Sequence, residues 1–409
     1  MTTTLKKIVL ISSGQPSLNP RLVKEADNLV AYGYQVTVIY QFWNQWGTTL
    51  DEHFLKQKKW RAILVGGSPR VSKYTYWLSR IRHKLGQKLV AAVGVKAPFA
   101  EMALGRCTNL LTREALKHPA NLYVAHNLAA FPAAVTAARK HGVKCGFDAE
   151  DYHRNEVSDD INNFDVKLKA FIEDLYIPQV NYLTTSSPLI SAAYTRLYNL
   201  SPITILNTFS LPAKPLNVHR ADEKLRLFWF SQTISLERGV GDCIKALAGL
   251  NYSNIELHLL GYATDIVKLQ IQEITDGKVT VIIHPPIPPD DIIPFASQFD
   301  IGLAMEDSTP YNRDICLTNK IFTYIQAGLA VIATDTTAQT QLLKQYPDVG
   351  LVYQKKDINS LTAALRSYRD NQEQLSTTKQ SALQAAAKDL NWEHESKKFL
   401  QLVKTIFTS

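Results

Sequence analysis

Cysteine is scarce in this 409-residue chain: Cys107, Cys145, Cys243 and Cys316 are the only four, and neighbours among them stand at least 38 residues apart. That spacing excludes a CxxC metal or redox pair and a dense disulfide framework, and it suits a reducing cytoplasm. The chain also lacks an uncharged apolar run of the roughly 18 residues that a membrane-spanning helix needs. At the amino terminus, MTTTLKKIVLIS holds an apolar run of only four residues before Ser12 and Ser13, too short for a signal peptide. No unit of about 20 to 50 residues repeats, which excludes a solenoid. No GxGxxG follows the first apolar run, where only Gly14 occurs, and the next run ends in Tyr40-Gln41 rather than in an acid. Both features argue against a dinucleotide site.

Acid is missing from one window. From His53 to Ala100 there are eleven Lys or Arg and no Asp or Glu, whereas the rest of the chain has 34 basic residues against 37 acidic. The net charge of +8 therefore comes from one segment. Its cations are interleaved with Phe54, Trp60, Tyr74, Tyr76 and Trp77. Such a mixture suits an anionic membrane surface, with cations drawn to the headgroups and rings seated at their depth. A solvated surface helix is the alternative. Nucleic acid is not expected, because no binding motif accompanies the charge.

What is present is an alternation of strand and helix. Hydrophobic residues make up 45% of the chain and charged residues 20%, as in a soluble globular protein, and the length suits two domains. KKIVLI reads as a buried strand, and Asn19 as the cap of a helix opening at Pro20 with the stripe Leu22, Val23, Ala26, Leu29 and Val30. Gly33 ends that helix, and residues 35–40 form the next strand. After the basic segment, helical pattern continues to about Lys117. LYVAH places His126 at the carboxyl end of a strand, where open α/β sheets bind ligands. Strand 144–148 runs into a charged cluster that includes Asp148, Glu150 and Asp151, suited either to a solvated loop or to an acceptor hydroxyl. Two shorter strands at 182–185 and 203–206 precede a lapse with Pro212 and Pro215. A second alternation begins at LRLFWF, so two doubly wound sheets are expected, with helices from Ile358 to the end.

Within the second half, EDSTPYNRDICLTNKIFTYIQAGLAVIAT spans Glu306 to Thr334. It reads as a polar loop, a helix capped by Thr318 with Ile321, Phe322 and Ile325 on one face, a turn at Ala327-Gly328, and a buried strand. The helix start favours an anion, and Lys320 adds a charge one turn in.

Taken together, SGQPSLNPRLVKEADNLVAYGYQVTVI, YVAHNLAAFPAA, FDAEDYHRNE, FWFSQTISLERG and LTNKIFTYIQAGLAVIATD resemble, in order and spacing, the retaining family 4 type of GT-B glycosyltransferase over essentially the whole chain. The resemblance implies two Rossmann-like α/β domains facing each other across a cleft: residues 1–207 for the acceptor, a linker at 208–223, residues 224–391 for a nucleotide sugar, and a helix from 392 to 409 crossing back. It implies that Arg238-Gly239 meets the donor diphosphate, with Gly14, Ser231, Gln232 and Gly261 near the donor and His126 near the reacting sugar. Thr318, Asn319 and Lys320 join the expected donor set, and Arg238, Lys320 and His126 are the expected catalytic groups. Asn19, Arg21, Asp148, Glu150 and Asp151 are the expected acceptor contacts. The family holds its nucleotide ribose with the second of two glutamates eight residues apart, and those places hold Ile315 and Thr323 here. A one-residue shift brings Asp314 into that neighbourhood, and Glu306 and Thr323 are the candidates to share the work.

No DxD-type carboxylate pair appears where a divalent ion would be needed, so no metal and no cofactor beyond the donor is expected. The partners implied are a nucleotide-sugar donor and a glycan or lipid-linked acceptor, in the cytoplasm or on the inner face of a membrane. A non-catalytic binding protein of the same fold and a sugar-nucleotide epimerase are the alternatives.

Overall fold

Apolar runs such as Ile8 to Ile11 cannot be half solvated, and they pair into sheets covered on both faces. A computed structural model describes residues 5–96, 99–212, 224–250 and 254–408. The chain divides into two compact units, one of Met1–Ile205 with Pro310–Asn312 and Ser396–Ser409, the other of Leu206–Thr309 with Arg313–Glu395.

In the first unit the strands are β1 (Lys7–Ser12), β2 (Gln35–Gln41), β3 (Arg61–Val65), β4 (Leu122–His126), β5 (Lys144–Ala149), β6 (Tyr182–Thr185) and β7 (Ile203–Thr204). They form a parallel sheet in the order β3-β2-β1-β4-β5-β6-β7. Its helices are α1 (Pro20–Ala31), α2 (Gln45–Phe54), α3 (Lys73–Val93), α4 (Ala100–Leu104), α5 (Thr108–Ala115), α6 (Phe131–His141), α7 (Phe164–Tyr176) and α8 (Pro188–Tyr198). Helix α1 starts where the sequence places it. Asn19 Oδ1 accepts from Leu22 N at 3.0 Å, Pro20 takes the first turn, and Gly33 turns the chain at a φ of 86°. The basic segment holds more than the surface helix weighed for it. It contains the edge strand β3, and the helical stretch breaks into α3, α4 and α5 at Gly94 and Gly105.

The second unit holds β8 (Leu225–Thr233), β9 (Ile255–Tyr262), β10 (Thr280–His284), β11 (Ile301–Ala304), β12 (Ala330–Thr334) and β13 (Gly350–Tyr353), parallel in the order β10-β9-β8-β11-β12-β13. Its helices are α9 (Val240–Leu250), α10 (Asp265–Thr275), α11 (Ile292–Ala296), the part of α12 (Tyr311–Ile315) from Arg313 on, α13 (Asn319–Gln326), α14 (Thr337–Gln345), α15 (Ile358–Asp370) and α16 (Gln372–Lys388). Its core is built on Trp229, Leu227, Leu257, Leu259, Leu303 and Ile332, all fully buried. Helix α17 (Trp392–Thr408) closes the chain. Its residues from Ser396 on belong to the first unit, where Lys144 Nζ donates to the Ile406 carbonyl at 3.1 Å and Phe407 lies 5.6 Å from the Tyr34 ring.

Of the linker expected at 208–223, residues 213–223 lie outside the described residues. The start of that span is packed rather than loose: Thr208 is buried, and Phe209 donates its N–H to Gln326 Oε1 at 2.9 Å and accepts from Gln326 Nε2 at 2.7 Å. A buried peptide needs such partners.

Candidate functional site

In each sheet the strand order reverses once, between β1 and β4 and between β8 and β11. At such a switch point the flanking loops leave toward opposite faces, and ligands bind in the crevice outside the carboxyl ends. The register puts Ser12 beside His126 in the first sheet. Just past it, Ser12 Oγ donates to Asn127 Oδ1 at 3.1 Å and accepts from Gly14 N at 3.0 Å. A Cβ on Gly14 would make ordinary contact with Ser12 Oγ at 3.8 Å and Asn127 Oδ1 at 4.0 Å, so packing at that position does not demand glycine.

Behind this loop lies a buried cluster of charges. Arg21 is fully buried and grips Asp148 with two bonds, Nε to Oδ2 at 2.6 Å and Nη2 to Oδ1 at 2.7 Å, while Nη1 donates to the Ile205 carbonyl. His126 Nε2 is 3.2 Å from Glu25 Oε2 and Nδ1 is 3.4 Å from Asp148 Oδ2. Thr184 Oγ1 donates to Asp148 Oδ1 at 2.6 Å. Burial alone would discharge the imidazole. Glu25 and Asp148 overcome it and raise its pKa to about 9, so His126 is a cation at neutral pH. Burial likewise opposes the Asp148 carboxylate, but Arg21 and His126 hold its pKa far below the usual range.

These contacts correct three of the acceptor assignments and qualify a fourth residue. Arg21 and Asp148 face each other inside the protein rather than an acceptor, Asn19 is occupied as a helix cap, and His126 is 1% exposed, one layer beneath the surface loop. A buried charge is tolerable only when paired, and here pairing consumes the side chains. Glu150 and Asp151 sit at the cluster's outer margin. Burial, then the neighbouring Asp151, raises the Glu150 pKa to about 7. Asp151 Oδ1 accepts from Asn312 Nδ2 at 2.9 Å, and burial raises its pKa too. Lys24, across from Glu150 in charge, is lowered to about 7 by burial and by Arg21.

The second switch point is open. Arg238 is exposed on the loop between β8 and α9, with Nη1 donating to Ser231 Oγ at 3.2 Å, and Gln232 is exposed beside it. Two glycines make that loop possible. A Cβ on Gly261, whose φ is 150°, would fall 2.2 Å from the Ser231 carbonyl oxygen, and one on Gly239, at φ 79°, would fall 2.8 Å from the Met305 Cβ. The next residue after Met305 is Glu306, where β11 has given way to loop. Its backbone is held by Thr334, whose Oγ1 accepts from Glu306 N at 3.0 Å and donates to Glu306 O at 2.9 Å.

Around Glu306 the sequence expectations divide. Helix α13 begins after Thr318 as expected, and Ile321, Phe322 and Ile325 are buried on its inner face. Thr318 Oγ1, however, donates to Glu306 Oε1 at 2.9 Å rather than accepting from the helix, and Lys320 Nζ forms an ion pair with the same carboxylate. The lysine is therefore a neutralised charge, not an isolated one. Asn319 opens the helix, half-buried. Asp314 is corrected: its carboxylate accepts from Thr337 N at 3.0 Å and Thr337 Oγ1 at 2.6 Å and so anchors the start of α14. Thr323 is corrected as well, being 1% exposed on the core side of α13, with Ile315 buried too. Among the described residues no three of His, Cys, Asp and Glu converge as a metal-ligand set.

Comparison with known proteins follows the same geometry. Residues 242–401 match the family described as glycosyl transferase-like. Over nearly the whole chain, solved structures with the same architecture include a glycosyltransferase from Rickettsia africae (12% identity, 99% of each chain, TM-score 0.69). Anabaena HepE, solved in complex with UDP, superposes with a TM-score of 0.67 at 12% identity, covering 98% of this chain and 100% of HepE. WaaG, a glycosyltransferase involved in lipopolysaccharide biosynthesis, gives 0.62 at 14% identity, covering 96% and 98%. Among curated proteins none matches the sequence. The chain has the GT-B fold. At these identities the structural likeness is one of fold, while the family match rests on the second unit.

In this GT-B fold, sequence reasoning missed Glu25 and Lys24 on α1 and Lys355 after β13. Lys355 Nζ hydrogen-bonds Ser308 Oγ and lies 3.5 Å from Asp307 Oδ1, which ties down the loop that follows Glu306. A signal for Glu25 was present. Arg21 and Glu25, one helical turn apart, both lie within the stripe of Leu22, Ala26 and Leu29, and a charge pair inside an apolar stripe marks a buried network.

Proposed function

We propose that the protein transfers a sugar from a nucleotide-diphosphate sugar to a hydroxyl of a glycan or lipid-linked acceptor in the synthesis of a cell-surface polysaccharide or glycolipid. The observation that carries this reading is the open switch point of the second sheet. There an exposed Arg238 stands on a glycine-shaped loop at the carboxyl end of β8, and the Lys320–Glu306 pair stands beyond β11. Leaving of the nucleoside diphosphate builds negative charge on its outer phosphate. Arg238 meets that charge with a preorganised fork of donors, and the uncapped N–H groups at the start of α13 add their dipole. Lys320 exchanges Glu306 for the phosphate as the donor binds, which frees the Glu306 carboxylate to accept from a donor hydroxyl, the work that Thr323 cannot do. HepE is solved with UDP and with UDP-glucose, which favours a uridine donor here. Transfer without a metal and with retention of configuration completes the proposal. The same-face course follows from the resemblance, and the metal-free course from cationic side chains standing at the expected phosphate.

The test is thermal unfolding of the metal-free protein with UDP, GDP, ADP and CMP. A ligand that binds only the native state stabilises it by about 2.7 kcal/mol at a hundredfold excess over its dissociation constant. UDP is expected to raise the Tm, and Arg238→Ala to abolish the shift and to lower turnover about a hundredfold or more, as loss of a transition-state donor does. Turnover within a few-fold of wild type would remove Arg238 from the reaction. No shift with any nucleotide favours the non-catalytic reading, to which the buried Thr323 and Ile315 at the ribose-binding places already lend weight.

A further inference from the structure

Helix α3 has two apolar faces, and only one is used by the fold. Tyr76, Ser79, Gly86 and Val90 face inward. A Cβ on Gly86 would come 2.9 Å from the Ala103 N and Met102 side chain, so α3 lies tight against α4 on that side. On the opposite face Tyr74, Trp77, Leu78, Ile81 and Leu85 follow helical spacing and are each more than half exposed. Lys73, Arg80, Lys84 and Lys88 run beside that stripe, also exposed. A helix that merely solvates a surface has no use for five large apolar residues in line.

We infer that this outer face of α3 docks the first unit on a bilayer that contains anionic lipid. The stripe supplies the apolar surface that sinks to the level of the acyl boundary, with Tyr74 and Trp77 at headgroup depth, and the lysine row meets the lipid phosphates. Charge selects this occupant over a second copy of the chain. With eleven cations and no acid from His53 to Ala100, two copies stacked through α3 would bring like charges together, whereas a negative surface neutralises them.

The position of the helix adds a consequence. Arg106 donates to the Gly66 carbonyl at 2.8 Å, to Ser79 Oγ at 2.8 Å and to the Phe42 carbonyl at 3.2 Å, which fastens α3 to the chain leaving the carboxyl ends of β2 and β3. Phe42 and Tyr76 pack edge to face at 5.7 Å in the same joint. Docking therefore brings the ligand-binding edge of the first sheet to the lipid surface, which suits an acceptor hydroxyl carried on a lipid. That last step rests on the transferase reading, and the docking does not.

The experiment is flotation of the full-length protein, without donor or acceptor, on phosphatidylcholine vesicles and on vesicles that also contain phosphatidylglycerol. Binding is expected to the anionic vesicles alone and to fall as salt rises. Ile81→Glu with Leu85→Glu is expected to weaken it at least tenfold, and Lys84→Glu or Lys88→Glu roughly fivefold each. All four residues are exposed or at the helix surface, and circular dichroism melts of the variants confirm that the fold is kept. No binding, or equal binding to neutral vesicles, overturns the proposal. So does a wild-type dimer in light scattering that Ile81→Glu converts to monomer, since the stripe would then be an interface between copies. Because no step involves turnover, an inactive but vesicle-bound protein would count against the transferase reading and leave the docking intact.

Discussion

The two sheets share one winding order and one switch point each, yet they treat charge in opposite ways. At the first, Arg21, Glu25, His126 and Asp148 are fully buried and answer one another. At the second, Arg238 is in solvent and Glu306 with Lys320 lies near the surface. Position at a strand's carboxyl end therefore does not by itself make a residue a ligand contact. Charges sealed in a low-dielectric interior are bound to their partners by the cost of separating them, while charges at the rim can trade a partner for a ligand. The first cluster is a frame that shapes the Gly14 loop in front of it, and the second is where donor chemistry is proposed.

The largest expected effect tests that frame. Asp148→Ala leaves Arg21 buried without its carboxylate and is expected to cost about 3–5 kcal/mol of stability, read from denaturant unfolding. A loss within 1 kcal/mol or so of wild type would mean that the cluster is not the frame proposed. Next comes pH. The folded pKa of His126 is raised to about 9 from an ordinary 6.5, so its pairing stabilises fully below about 6.5 and is lost as pH rises through about 9. The difference in Tm between wild type and His126→Gln is expected to shrink across that window. A constant difference would show that the imidazole stays neutral. Glu150, raised to about 7 by burial and Asp151, is itself held down by His126, so its titration enters the difference near neutral pH and the imidazole is read above that. The smallest effect belongs to the second unit. Asp314→Ala removes the anchor of α14 and is expected to cost about 1 kcal/mol, like a lost helix cap, with UDP affinity unchanged. A marked loss of UDP binding at full stability would return Asp314 to the donor site.

Much of the architecture was legible because its signals are local. Asn19 and Pro20 open α1, Gly33 closes it, and the apolar runs of β1, β4, β8 and β12 announce buried strands. Strand β3 was missed for the same reason. Its sequence, RAILV, is short, and it pairs along one side only, so it has no long apolar run to show. Arg238-Gly239 was singled out by the resemblance to the GT-B family, and the structure adds that Gly239 turns at a φ of 79° close to Met305.

By itself, the sequence determined the two α/β alternations, the loop that carries Arg238, and the confinement of positive charge to one segment, all of which follow from residue types at fixed spacing along the chain. Only the tertiary structure decided which charges are spent on the fold. Arg21 meets Asp148 across 127 positions of sequence, Asp314 turns to Thr337, Glu306 takes both Thr318 and Lys320, and α3 presents one apolar face inward and the other to solvent. Those pairings arise where elements distant in sequence are packed together, and the strength of a charge or an apolar stripe depends on what packing leaves beside it.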